Sequence, residues 1–303
     1  MKQFKGRTAV ITGAGSGFGL EVSRLAAREG MNVVMADVQP DALDAAAAEI
    51  RGLGAAVLAH RLDVSRAAEV EALASAALQR FGAPHFVFNN AGIAVGGLIW
   101  EHSVKDWEWT LGVNVMGVAH GVRCFTPPML EAARRDPGYE GHIVNTASMA
   151  GVLCAPNMGA YNVSKHAVVA LSETLYQDLS LVTDQVTASV LCPYFVPTGI
   201  HQSHRNRPSA LQDEGARPTA SQRIAQAMST RAVESGKVSA AEVAGLVFDA
   251  LRQRRFYIFS HPRSLAGVQT RMEDILQQRN PTDPFASKPE IGAQLRTALR
   301  DTA

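Results

Sequence analysis

Cysteine is scarce: the 303 residues hold three, Cys124, Cys154 and Cys192, and none stands in CxxC spacing. That usage fits reduced thiols in a reducing compartment. An excess of one charge is absent too, with 29 Lys and Arg against 28 Asp and Glu and no long run of either. Nothing in this balance recommends nucleic acid or an anionic membrane surface as a partner. No apolar run approaches the length of a membrane span. Lys2, Lys5 and Arg7 precede a short apolar run that a glycine-rich loop soon interrupts, which predicts a first strand rather than a signal peptide. A cytoplasmic location is the expectation. Repeats and low-complexity segments are missing, apart from an alanine-rich stretch at 42–48. His201 and His204 stand three apart with no carboxylate or cysteine adjacent, so they predict surface histidines and no metal.

What is present is an ordinary core-forming composition, 47% hydrophobic and 19% charged, at a length that suits one large α/β domain or two small ones. Through the first half, apolar β-branched runs alternate with helical patterns across short connections. That alternation predicts an α/β fold, a doubly wound parallel sheet between helical layers. Strands are expected at 8–12, 31–37, 55–62, 86–88, 143–146, 186–191 and 256–259. Helices are expected at 40–53, 66–81, 103–135 (interrupted by Pro127 and Pro128), after 159, and at 239–253.

Two stretches carry chemistry. The first is Thr8–Thr12 followed by Gly13, Ala14, Gly15, Ser16, Gly17, Phe18 and Gly19, after which Leu20, Val22, Leu25 and Ala26 fall at helical spacing. Strand, glycine loop and helix in that order let backbone amides approach a pyrophosphate at a helix N-terminus. Asp37 closes the next strand, where a carboxylate accepts hydrogen bonds from an adenosine ribose and repels a 2′-phosphate. Neither Ser16 nor Val38 is a cation, so NAD is favoured over NADP. The second stretch, 142–175, runs from a strand through Ser148 and turn-forming residues into a helix bearing Tyr161 and Lys165. Four apart, these two share a face. A phenol is a poor base at neutral pH, and a fixed ammonium one turn away lowers its pKa. A cationic cofactor ring would supply the rest of the shift.

The spacing TGxxxGxG, with Asn89-Asn90-Ala91-Gly92, Asn114, Ser148 and Tyr161-xxx-Lys165, resembles the short-chain dehydrogenase/reductase family over roughly residues 5 to 260. The resemblance implies a single Rossmann-like domain, hydride transfer at a carbinol or carbonyl carbon, and a homodimer or homotetramer. It implies that Gly13, Gly15, Ser16, Gly17, Phe18 and Gly19 meet the cofactor, with Asp37 and Val38 at its ribose and Asp63 and Val64 at its adenine. Asn90, Ala91 and Gly92 pass close to it, while Pro193 also meets the cofactor, Val196 its carboxamide, and Thr198 a phosphate or the carboxamide. Tyr161 then acts as acid and base, Lys165 holds the nicotinamide ribose, Ser148 orients the reacting oxygen, and Asn114 holds a water that links the lysine to solvent. Asp63 serves equally well as a helix cap. A tyrosine, Tyr194, stands where the family commonly has glycine, which leaves the local backbone path open.

Residues 1–260 are therefore expected to form the NAD-binding catalytic domain, with 199–236 as substrate-binding loop and helix. The polar, aperiodic part at 199–222 is expected to be a mobile lid. The tail at 261–303 predicts one amphipathic helix, with Leu265, Val268, Met272, Ile275 and Leu276 on its packing face, then a chain broken by Pro281, Pro284 and Pro289. Tail and expanded loop resemble a family branch that oxidises bulky, often aromatic, alcohols. Ile93, Val95, Met149, Leu153, Cys154, Met158, Tyr194 and Phe195 flank the motifs and could line an apolar cleft for a small-molecule substrate of that kind. Two competing readings stand. An NADPH-dependent carbonyl reductase on the same fold is opposed by Asp37. A non-catalytic dinucleotide sensor would have no use for Asn114, Ser148, Tyr161 and Lys165.

Overall fold

The computed structural model describes residues 1–300 apart from 213, 214 and 216, so parts of the expected lid and the tail end at 301–303 lie outside the described residues. Along the chain run β1 (Thr8–Thr12), α1 (Gly17–Arg28), β2 (Asn32–Asp37), α2 (Pro40–Gly52), β3 (Val57–Arg61), α3 (Ala67–Phe81) and β4 (Phe86–Asn89). Then come α4 (Val104–Leu111), α5 (Gly117–Arg135), β5 (Gly141–Thr146), α6 (Gly159–Val182), β6 (Val186–Cys192), α7 (Ala220–Glu234), α8 (Ala240–Gln253), β7 (Tyr257–Phe259), α9 (Leu265–Leu276) and α10 (Pro289–Arg300). The strands form one parallel sheet in the order β3-β2-β1-β4-β5-β6-β7.

Successive strand residues point to opposite faces, and the two cores record that alternation. Ala9, Ile11, Val33, Met35, Phe86 and Phe88 pack under α1, α2 and α8. Val10, Val34, Ala36, Val87 and Ile143 pack under α3, α5 and α6. Both faces are covered, so the strands are apolar almost throughout, as parallel sheets require. Strand order reverses between β1 and β4, which opens a crevice at the carboxyl ends of the strands. The expected Rossmann-like α/β fold is the observed one.

Three expectations are corrected. Pro127 and Pro128 do not interrupt the helical region; α5 runs through them, anchored on either side by the fully buried Phe125 and Met129. Buried area outweighs the two missing amide donors. The break comes earlier, at Gly112–Met116, which winds as a π-turn with the Gly117 amide donating to the Gly112 carbonyl. Residues 199–222 are not structureless: 3-10 turns form at Gly199–Asn206 and Ser209–Leu211, and Thr219 with Gln222 makes a reciprocal cap that starts α7. In the tail, α9 forms where expected and its first half packs as expected, with Val268 against the core and Leu265 half-buried, but its second half does not. Met272, Ile275 and Leu276 are exposed while Asp274 is buried, because its carboxylate accepts from the Thr282 amide and hydroxyl and pairs with Arg279. Pro289 begins α10 instead of breaking the chain, a first-turn position that wastes no amide. No described helix is long and apolar enough to cross a membrane.

The sheet also buries a titratable group. His142 on β5 donates from Nε2 to Ser189 Oγ at 2.6 Å, and that hydroxyl gives its own proton to the Arg255 carbonyl at 2.8 Å. Burial pushes the His142 pKa from 6.5 to about 3. The folded protein therefore keeps this imidazole neutral, while the unfolded chain takes up a proton below about pH 6.5. Stability should fall as pH drops from 6.5 towards 4, and His142→Gln should remove about 1.4 kcal/mol per pH unit of that slope. Urea midpoints for both proteins across this range check it; an unchanged slope would refute it.

Candidate active site

Three strand ends are tied together before any chemistry is placed. Thr12, the last residue of β1, accepts at Oγ1 from the amides of Asn90 (2.9 Å) and Ala91 (3.1 Å). Asn90 Nδ2 donates back to the Thr12 carbonyl at 3.0 Å, and Thr146 at the end of β5 donates to Asn90 Oδ1 at 3.3 Å. Gly13 then turns the chain at φ +65°, with Ala91 Cα 3.0 Å from where a Cβ would stand. At Gly19 a Cβ would lie 2.1 Å from the Gly13 carbonyl oxygen, so only glycine lets α1 start this close to the loop. Ser16 makes no side-chain cap, which leaves first-turn amides of α1 for an acceptor in the cleft. Asp37 receives the Gly15 amide on one oxygen (2.9 Å) and the Gln39 amide on the other (3.0 Å). Asp63 does not cap α3, whose N-cap is Arg66; its Oδ1 instead accepts from the Ser65 amide and hydroxyl.

Tyr161 and Lys165 lie on the first turns of α6, both buried, with the lysine nitrogen 5.7 Å from the tyrosine ring centroid. Lys165 donates to the Thr146 carbonyl at 2.9 Å. Burial lowers its pKa to about 8, which still leaves it cationic at neutral pH. The Tyr161 phenol is displaced upward by burial, and only the Ser148 hydroxyl pulls it back. The expected lowering by Lys165 does not dominate here, since that ammonium is aimed at a carbonyl. Ser148 accepts the Ala150 amide at 3.1 Å and donates to the Pro193 carbonyl at 3.4 Å. Asn114 sits in the π-turn, fully buried, and its amide is committed to both backbone groups of Ile93 and to Ser164 Oγ. Gly92 lies between Asn114 Oδ1 and Lys165 Nζ, which stand 3.4 and 3.5 Å from the place of its missing Cβ.

One cleft brings together Gly13, Ser16, Gly17, Phe18, Asp37, Val38, Asp63, Val64, Asn90, Ala91, Gly92, Tyr161, Lys165, Pro193 and Thr198. Gly19 and Asn114 are buried beside it, Gly15 and Ser148 are partly exposed, the latter next to Tyr161, and the Val196 side chain is buried in the core under α1 and α8. Met149 proves to be plain core. Tyr194 needs no glycine conformation: it lies outside the left-handed region, its amide donates to Ser260 Oγ, and its half-exposed ring stacks near Phe195 and His261. The cleft also contains residues that carried no sequence signal, namely Trp109, Val113, Ile200, Ser203, Arg205 and Asn206. Trp109 and Val113 fall in the helical region expected at 103–135, and the others belong to the segment expected to cover substrate. His201 lies 4.0 Å from Glu234, and no cluster among the described residues could hold a metal ion.

Known proteins resemble this arrangement closely. The family model described as short chain dehydrogenase matches residues 7–209. A short-chain dehydrogenase/reductase from Burkholderia phymatum, solved in complex with NAD, superposes with a TM-score of 0.90 at 55% identity, over 94% of this chain and 99% of that one. A CLA biosynthesis dehydrogenase/reductase of Lactiplantibacillus plantarum is 32% identical over 93% of this chain and 97% of its own length. The 1-deoxy-11-beta-hydroxypentalenate dehydrogenase of Streptomyces exfoliatus is 36% identical over 89% and 88%.

The glycine contacts set a pair of contrasting expectations. Gly19→Ala forces backbone against backbone and should cost about 2 kcal/mol and abolish dinucleotide binding. Gly245→Ala, on α8 with nothing within 4 Å of its Cβ position, should instead stabilise by about 0.5–1 kcal/mol. Thermal denaturation with and without NADH separates the two.

Proposed function

The chain belongs to the short-chain dehydrogenase/reductase family of oxidoreductases acting on CH–OH groups, and from that membership we propose that it is an NAD-dependent dehydrogenase interconverting a secondary alcohol and a ketone. The observation that carries this reading is one cleft holding the Gly13 to Gly19 turn and Asp37 at one end and Tyr161 with Lys165 at the other. The free first-turn amides of α1 and the glycine at position 13 fit a dinucleotide pyrophosphate; Asp37 fits an adenosine ribose better than one bearing a 2′-phosphate. When bound, the nicotinamide ring supplies the hydride acceptor. Tyr161 takes the hydroxyl proton as a phenolate, and in the reverse direction returns it as the general acid. Its upward displacement by burial means that the phenolate forms only with added positive charge at the site. Lys165 supplies part of that charge and holds the ribose, while Ser148 orients the reacting oxygen. Asn114, its side chain already committed to Ile93, leaves the backbone of its π-turn to hold the water that leads protons from Lys165 to solvent.

The substrate in this reading is a bulky hydrophobic or aromatic alcohol, in keeping with the Tyr194 and Phe195 rings and with Leu153, which packs beside α9. Residues 1–260 act as the catalytic domain and 261–303 as a helical extension, in a cytoplasmic homodimer or homotetramer. Mixing the protein with NAD and a panel of aryl carbinols, steroids, aliphatic alcohols and polyols tests the reading by NADH fluorescence. A signal confined to the bulky apolar alcohols is expected; turnover of polyols alone would overturn the substrate class. Tyr161→Phe should lower kcat by about a thousandfold or more while leaving NAD binding nearly intact. Asp37→Ala should bring NADP turnover close to that with NAD, and unchanged selectivity would sink the role given to Asp37.

A further inference from the structure

The segment 199–206 leaves the end of β6 and crosses the cofactor cleft instead of covering only the substrate end. Ser203 Oγ accepts the Ala94 amide at 3.0 Å and donates to the Ala94 carbonyl at 3.2 Å, which fixes the middle of the strap to the loop after β4. Gln39 Nε2, just beyond Asp37, donates to Asn206 Oδ1 at 2.7 Å, which fixes its far end over the adenosine side. Between these ties stands Arg205. Its guanidinium lies 3.0 Å from the Cβ position of Gly199, next to Thr198, whose Cβ is 3.4 Å from the Cβ position of Gly17 in the glycine turn. Its hydrogen-bond partner is the neutral Gln202 carboxamide, at 2.8 Å, with Asp37 and Asp41 at the same mouth.

We propose that Arg205 is a cofactor-binding residue that contacts the dinucleotide pyrophosphate, and that the Gln39–Asn206 hydrogen bond fastens the strap over the bound adenosine. This rests on the dinucleotide reading of the cleft. Only two cations, Lys165 and Arg205, are among the described residues lining it. Lys165 is committed to the Thr146 carbonyl at the reaction end. A dianionic pyrophosphate lodged at the glycine turn therefore has Arg205 as its available counter-charge, and a planar guanidinium suits phosphate oxygens geometrically. A 2′-phosphate is the other anion an arginine here would attract, but Asp37 keeps a carboxylate at that ribose position. The strap is thus a part of the cofactor site that closes after the dinucleotide has entered, and it must open for release.

The experiment is a fluorescence titration with NADH and NADPH, and with adenosine as a phosphate-free competitor, on wild type, Arg205→Gln, Arg205→Lys and Asn206→Ala. Melting temperatures confirm that the variants fold. Arg205→Gln should weaken NADH about tenfold at low salt and leave adenosine unchanged. The gap should narrow at high salt, as for any partly exposed charge contact, and Arg205→Lys should recover part of the loss. Asn206→Ala should speed NADH dissociation about threefold or more in stopped flow with little change in association. Equal loss of adenosine, no loss of NADH, or a loss confined to NADPH would each overturn the Arg205 assignment. Unchanged dissociation from Asn206→Ala would overturn the latch. Wild type that binds neither dinucleotide would overturn the underlying reading, and this inference with it, before any variant is compared.

Discussion

A buried ammonium has to be compensated or it neutralises, and Lys165 is compensated by one backbone carbonyl, that of Thr146. The same threonine donates its hydroxyl to Asn90, and Asn90 donates to the carbonyl of Thr12, the residue before the glycine turn. A single chain of hydrogen bonds thus runs from the lysine of α6 across the ends of β5, β4 and β1. These are the strands that flank the switch in sheet order, so the crevice of the fold and the polar network of the site are one object. The tie fixes where Lys165 sits relative to the glycine turn without any side chain reaching across the open cleft. It also explains why the sheet tolerates polar residues at its carboxyl edge, where Asn89 donates to Asn145 and Asn145 to Ser172.

That compensation has a consequence for the tyrosine. The Lys165 ammonium is spent on that carbonyl and lies 5.7 Å from the Tyr161 ring centroid, and burial is the larger influence on the phenol. Burial, which raises both the phenol and the neutral fraction of the lysine, works in the same direction. The protein by itself therefore holds Tyr161 protonated. In the function proposed above, the positive charge of a bound nicotinamide ring would be what makes it a base, which would couple cofactor binding to activation of the base.

How much of this was legible in the sequence follows from what each feature depends on. The glycine turn, Asp37, Tyr161 and Lys165 could be read because local geometry dictates them: a close approach at Gly19, a strand end, a four-residue spacing on a helix. Asn114 was legible through the motif set it forms with Ser148, Tyr161 and Lys165, though its commitment to Ile93, twenty-one positions away, was not. The course of α5 through Pro127 and Pro128 was missed because a local penalty was outweighed by Phe125 and Met129, whose burial is a tertiary matter. The outward turn of the second half of α9 was missed because periodicity counts apolar residues and cannot see that Asp274 is required by Thr282 and Arg279. Helix α10 had a trace in the spacing of Ile291, Leu295 and Leu299, with Leu295 buried, but Pro289 read as a stop instead of a start.

The segment 199–236 shows most clearly why location is harder to read than chemistry. Its composition is that of a cover, and its two halves are fastened to different things. The first half is tied to Ala94 and Gln39, on the cofactor side. The second half, α7, is fixed by Ser221, whose hydroxyl accepts the Leu98 amide and donates to Glu101, and whose carbonyl accepts from Asn157 just before the helix of Tyr161. Arg207 joins the halves to α4, pairing with Asp106 and lying 5.3 Å over the ring of Trp109. A strap tied to Ala94 and Gln39 and a helix tied to Leu98, Glu101 and Asn157 are thus joined by an arginine anchored to a third element. The link between the strap and α7 therefore runs through contacts that no stretch of sequence contains by itself.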